Sequence, residues 1–145
     1  MSKIIAVNAL GALLLLMAGV WSPAAANGAL AVGTTSNVVK DGVAFGTAIN
    51  YQTEAEARTA ALENCKKFKG APLAAARCQL VGAFKSECYG IAMDPKAGTP
   101  GAGWAIAATK TMAEQRAMDN CKETAGSDRR EFCEVAEAKC DDVKK

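Results

Sequence analysis

Two sets of side chains in this chain could carry chemistry: six cysteines and fifteen carboxylates. Histidine is absent, so no Ser–His or Cys–His dyad can be assembled and no metal site can draw on imidazole. Cys65, Cys78, Cys88, Cys121, Cys133 and Cys140 contain no CxxC pair. That spacing argues against a zinc knuckle and against a thioredoxin-like redox couple, so neither a metal nor a cofactor is expected. Beyond residue 26 the serines are Ser36, Ser86 and Ser127, and none stands in a nucleophile elbow. No GxxxxGK[ST] loop is present to cradle a phosphate. A pair of carboxylates is the catalytic device that remains, and such a pair suffices for glycoside hydrolysis. Glu87 and Asp94 bracket one apolar stretch, and Asp41 lies in a glycine-bounded connection. With carboxylates spread along the whole chain, solvated surface charge is the simpler reading, and the chain is expected not to be an enzyme. A small carboxylate-dependent envelope hydrolase is the alternative.

The first residues suggest where the cysteines would be oxidised. One cation, Lys3, precedes an apolar run from Ile4 to Val20 interrupted by Asn8, and Pro23-Ala24-Ala25-Ala26 follows. This is the pattern of a cleavable secretory signal. Residues 1–26 are expected to be the signal peptide and 27–145 a single domain with a short charged tail. The mature chain would have no membrane span and would be periplasmic or secreted. Six cysteines behind such a signal predict disulfides.

The elements that position these residues follow from an internal repeat. The segment from Thr53 to Lys66 recurs 56 positions later, from Thr109 to Lys122. Ala57 matches Ala113, Ala61 matches Ala117, and Asn64-Cys65-Lys66 matches Asn120-Cys121-Lys122. Both copies read as helices. Ala57, Ala61, Cys65 and Phe68 line one face, as do Ala113, Ala117, Cys121 and Ala125. Thr53 with Glu56 forms a capping box, Thr109 takes the same place in the second copy, and Gly70 and Gly126 are candidate C-caps. Strands are expected over Ala29–Gly33, Val43–Tyr51 and Cys78–Phe84, then Tyr89–Met93, Trp104–Ala108 and Phe132–Lys139. The fold class is α+β: two strand-strand-helix-strand units, about 28–88 and 89–140, forming a mostly antiparallel sheet with two packed helices.

Six cysteines allow fifteen connectivities, and the repeat selects among them. Cys65 and Cys121 end equivalent helices, Cys78 and Cys133 begin equivalent strands, and Cys88 and Cys140 each follow a third strand. The symmetric solution is Cys65–Cys78, Cys121–Cys133, and Cys88–Cys140 joining the halves.

The formal charge of +2 is too close to balance for a polyanion binder, so nucleic acid is not an expected partner. Lys66-Lys67-Phe68-Lys69 is the basic cluster, placed at a helix end where cations complement the dipole. Asp128-Arg129-Arg130-Glu131 reads as self-compensating surface charge. Trp104, Tyr51 and Tyr89 are candidate binding aromatics, since Trp and Tyr anchor interfaces. The polar connection Thr34-Thr35-Ser36-Asn37 suits recognition. The expected partner is a protein or a cell-envelope component, bound through the glycine-rich connections and nearby aromatics. An inhibitor or immunity protein is one form this could take.

The doubled pattern resembles a bacterial exported family known as domain of unknown function 4189. The resemblance rests on Gly28-Ala29-Leu30-Ala31-Val32, the helix through Cys65 and Cys78-Gln79-Leu80-Val81. It continues through Cys88-Tyr89-Gly90-Ile91-Ala92, Gly103-Trp104-Ala105, the helix through Cys121 and Cys133-Glu134-Val135. The first half departs from the family pattern in offering Phe45-Gly46 where Trp-Gly is usual. The resemblance implies export and a disulfide-stapled repeat, and it supplies no catalytic residues to carry over.

Overall fold

The computed structural model describes residues 27–141. The expected signal peptide and residues 142–145 of the charged tail lie outside the described residues.

The first half runs β1 (Asn27–Gly33), a single helical turn α1 (Val38–Asp41), β2 (Ala44–Tyr51), α2 (Glu54–Lys66), a second short turn α3 (Pro72–Ala75) and β3 (Gln79–Phe84). The second half runs β4 (Cys88–Met93), β5 (Ala102–Ala107), α4 (Lys110–Ala125), a 3₁₀ turn over Arg130–Phe132 and β6 (Glu134–Cys140). Each half forms its own three-stranded antiparallel sheet, ordered β2-β1-β3 and β5-β4-β6. The repeat extends to an irregularity of register. The β1–β3 pairing shifts between Leu30 and Ala31, and the β4–β6 pairing shifts between Ile91 and Ala92.

The two sheets face each other, and the helices lie outside them. β1 shows why. Ala29 and Ala31 pack with Ala57, Ala61 and Cys65 of α2, whereas Leu30 and Val32 point the other way, onto Tyr89 and Ile91 of β4. β4 alternates likewise: Ala92 meets Ala117 and Cys121 of α4, and Tyr89 and Ile91 meet the first sheet. A strand has two faces at period two, and here both central strands bury both. Trp104 of β5 packs on Phe45 of β2, while Ile106 approaches Gly82 of β3. Since β2 and β3 are opposite edges of their sheet, β5 crosses it, as in an orthogonal packing.

Helix α2 starts on the expected capping box: Thr53 accepts from the Glu56 amide and Glu56 accepts from the Thr53 amide. Thr109 caps α4 by accepting from the Met112 amide. Alanine faces let each helix approach its sheet, and one glycine per half permits the closest contact. A Cβ on Gly46 would strike the Ala61 carbonyl and the Cys65 amide, and one on Gly103 would strike the Ala117 carbonyl and the Cys121 amide. Asn64 and Asn120 fix the same alignment, each donating to a β2 or β5 carbonyl, Thr47 and Trp104 respectively, at 2.9 Å.

Three local expectations need correction. Gly126, with φ 76°, caps α4, but Gly70 does not cap α2, which ends at Lys66 with Lys67 as its cap. The chain must turn there to bring Cys78 back to Cys65. Phe68 consequently lies past the helix and is 37% exposed instead of facing inward. The last strand begins at Glu134, not Phe132, because the residues before Cys133 coil into the 3₁₀ turn.

The cysteines pair as Cys65–Cys78, Cys121–Cys133 and Cys88–Cys140, and none is free. The first two tie each helix end to the third strand of its own half. Cys88–Cys140 does not join the halves. Cys88 is the first residue of β4 and lies directly opposite Cys140 of β6, so the bridge fastens two strands of the second sheet. The noncovalent link between halves includes Asp141, which is buried. Its carboxylate accepts from the Asn50 amide at 3.0 Å and the Ser86 amide at 3.4 Å, both donors having positive φ. Disulfides of this number fit an oxidising compartment. No described helix is long and apolar enough to cross a membrane.

Candidate binding cleft

The two β-strand connections, 34–43 and 94–101, come together at one end of the sandwich. Between them is a cleft of about 360 Å³, closed on its third side by the turn after α2. Its lining includes Val39, Lys40, Asp41, Phe68, Asp94 and Lys96.

Each wall is held by local hydrogen bonds. In the first connection Asn37 caps α1 by accepting from the Lys40 amide at 3.1 Å, and Thr35 Oγ1 donates to Asp41 Oδ2 at 2.7 Å. Gly42, at φ 73°, brings the backbone against Ala71 of the neighbouring turn, where a Cβ would lie 3.1 Å from the alanine methyl. In the second connection the Asp94 amide donates to the Gly101 carbonyl at 2.9 Å, and Asp94 Oδ1 accepts from the Lys96 amide at 3.0 Å. Thr99 Oγ1 donates to the Lys96 carbonyl at 2.8 Å and closes the loop.

Asp94 anchors that wall. Arg129 Nε and Nη2 donate to its two oxygens, each at 2.7 Å, while the Asp94 side chain is wholly buried. This fork-to-fork geometry is the strong form of an ion pair. The Arg129 guanidinium holds the Asp94 carboxyl well below the usual range, at about 2, against the opposing effect of burial. The guanidinium also lies 4.1 Å from the centre of the Phe132 ring, a favourable cation–π position. Arg129 therefore does not belong to a self-compensating surface group. The equivalent place in the first half is Gly33, close against the Ala74 carbonyl of α3: one half braces its strand end with backbone, the other with an ion pair.

The carboxylates singled out from the sequence do not form a catalytic pair of the kind considered. Glu87 and Asp94 stand at opposite ends of β4, about 20 Å apart at about 3.3 Å per residue. Paired glycosidase carboxylates lie within about 10 Å of each other. Asp41 and Asp94 do line the same cleft, but both oxygens of Asp94 are engaged by Arg129. No cluster of three or more His, Cys, Asp or Glu side chains is arranged for a metal among the described residues.

The aromatic candidates separate. Tyr89 is 1% exposed and cannot contact a partner; it fills the space between the sheets, with its hydroxyl donating to Thr47 Oγ1 at 3.3 Å. Burial pushes its pKa up to about 12. Trp104 is half-buried against the same layer, its ring edge-on to Phe45 with centroids 5.9 Å apart. Tyr51 is more accessible, but it lies beside the start of α2 with Ala55 and Glu56, away from the cleft. Phe68, Lys40 and Lys96 line the cleft but are not among the binding residues expected from the sequence. Phe68 carried a signal, since it is the one apolar residue inside a basic run.

No curated protein and no solved structure gives a significant match to the chain. Residues 27–140 match the family described as a domain of unknown function, DUF4189. The matched segment runs from the first residue of β1 to the last of β6, with both sheets, both long helices and all three disulfides inside it. The chain belongs to the family of domain of unknown function 4189.

Proposed function

We propose that this is a non-enzymatic interaction domain of the periplasm or the extracellular space, which takes its partner at the cleft between the two strand connections. The partner would be a protein or an envelope component, and inhibition of an exported hydrolase is one role such a domain could fill. The observation that carries the reading is the cleft itself: both connections converge on it, and each is pinned by its own side-chain hydrogen bonds. Walls fixed before binding spare a ligand the cost of ordering them. Exposed Val39 and Phe68 at the rim give apolar contact area that folding has left unused.

Two substitutions test this against a role for the aromatic core. Val39→Asp, at an exposed position, should leave the thermal transition unchanged and abolish capture of the native partner from extract of the source cells. Trp104→Ala should lower stability by about 2 kcal/mol or more, since a half-buried ring leaves a gap between the sheets, with partner capture retained by the molecules that stay folded. Capture undisturbed by Val39→Asp, but lost in folded Trp104→Ala protein, would move the site away from the cleft.

A further inference from the structure

We infer that the cleft takes an anionic amphiphile, bound as a single molecule, with its chain against the apolar lining and its acidic head among the lysines. This rests on the binding reading above and names the chemistry of the occupant.

The first support is a local imbalance of charge. Lys40 and Lys96 line the cleft, and Lys69 stands between two lining residues, Phe68 and Gly70. Lys66 ends the helix just before them. All four lysines are exposed, and none has an ion-pair partner among the described residues. The nearby carboxylates are mostly committed: Glu63 pairs with Lys67, and Asp94 pairs with Arg129. Asp41 is the one carboxylate of the lining not paired to a cation among the described residues. With Asp94 neutralised by Arg129, the lining carries Lys40 and Lys96 against Asp41, a net positive lining, and a positive concavity concentrates anions.

The second support is the apolar surface within the same concavity. Val39 is 48% and Phe68 37% exposed, and Val43 and Met93 form half-buried lining deeper in. Lysine stems can lie along such surface while their ammonium groups reach an acidic head. The volume is near the small end of the range for ligand clefts, about 300–1,000 Å³, which suits one chain-bearing molecule. A flat bilayer would meet only the rim.

The test is calorimetric titration of the protein with decanoate held below its micelle-forming concentration. Decyl maltoside supplies the same chain on an uncharged head, and acetate supplies the head without the chain. Decanoate should bind one to one, more weakly as salt is raised. Lys40→Glu combined with Lys96→Glu should weaken it by roughly tenfold or more, the scale of losing charge-assisted contacts, and Val39→Asp should weaken it similarly. These exposed substitutions should leave the thermal transition in place. Equal binding of decyl maltoside, or decanoate binding indifferent to the lysine changes, overturns the inference. Sedimentation with phosphatidylglycerol vesicles in the absence of decanoate binding also overturns it, in favour of a membrane surface. If decanoate fails to bind while Val39→Asp still abolishes partner capture, the amphiphile is wrong and the cleft reading stands; if neither effect is seen, both fall.

Discussion

Asp94 joins the fold to the cleft through a single side chain. Its backbone closes the loop that forms one wall, and its carboxylate holds Arg129, thirty-five residues further along the chain. The direction of its pKa shift gives a pH dependence. The folded state binds a proton on Asp94 only near pH 2, whereas the unfolded chain would do so near 3.8. The pair's contribution is therefore fully present above about pH 4 and disappears as pH falls towards 2. In an NMR titration the Asp94 carboxyl carbon should move with a midpoint near 2, well below the usual aspartate value of 3.8. Asp94→Asn should remove the part of the acid destabilisation that falls between pH 4 and 2 and lower stability at neutral pH. An Asp94 midpoint at an ordinary value would mean that the Arg129 fork is not made in solution. The Lys96 amide loses a charged acceptor in that variant, so any ligand held at the 94–101 loop should weaken as well.

At the scale of elements, each half depends on a helix lying unusually close to a strand, and glycine allows it: Gly46 under α2, and Gly103 under α4 with Gly90 of β4 beside it against the Ala113 carbonyl. Gly46 and Gly103 face the same backbone groups, the half-cystine's amide and the carbonyl one helical turn before it. The helix cannot back away freely, since Cys65 and Cys121 are tied to Cys78 and Cys133. Gly46→Ala and Gly103→Ala should therefore each cost about 1–3 kcal/mol by overpacking, read in chemical denaturation as a lower midpoint for one transition of the whole domain. Gly98→Ala offers a control of another kind: its φ is 78° but no atom lies within 4 Å of the new Cβ, so only the backbone penalty applies. Midpoints for Gly46→Ala and Gly103→Ala no lower than that of Gly98→Ala would deny the close approach. The long helices and all six strands were legible because alanine periodicity and duplicated sequence announce them. The short turns α1 and α3 were not, because four residues carry no period: α1 buries none of its side chains, and α3 buries only Ala74 and Ala75, against partners distant in sequence. The facing sheets had an overlooked signal: Ala29-Leu30-Ala31-Val32 is apolar at every position, the mark of a strand covered on both faces. The Asp94–Arg129 pair had none, since nothing in a run of mixed charges says which arginine will be drawn inward.

For the whole molecule, the corrected position of Cys88–Cys140 changes what holds the two halves together. All three disulfides now lie within one half or the other, so the covalent connection is the short stretch between β3 and β4. The remaining association is noncovalent: the layer of Leu30, Val32, Phe84, Tyr89 and Ile91 between the sheets, with Asp141 bridging Asn50 and Ser86 at one end. A nick after Lys85 exposes this arrangement. The nicked protein should migrate as one species under native conditions. In denaturant without reductant it should separate into two fragments, because no disulfide spans the cut. The fragment 27–85, a chain of about 60 residues, should not regain a cooperative transition alone, since its sheet would present Leu30, Val32 and Phe84 to water on the face that β4 and β5 cover. Adding the second fragment should restore folding of both. Independent refolding of 27–85 would show that the shared layer is dispensable and that the repeat is two domains instead of one. The cleft sharpens the same point, because its walls come from both halves: if the halves fold only together, the cleft exists only in the assembled pair, and duplication has built the cleft as well as the core.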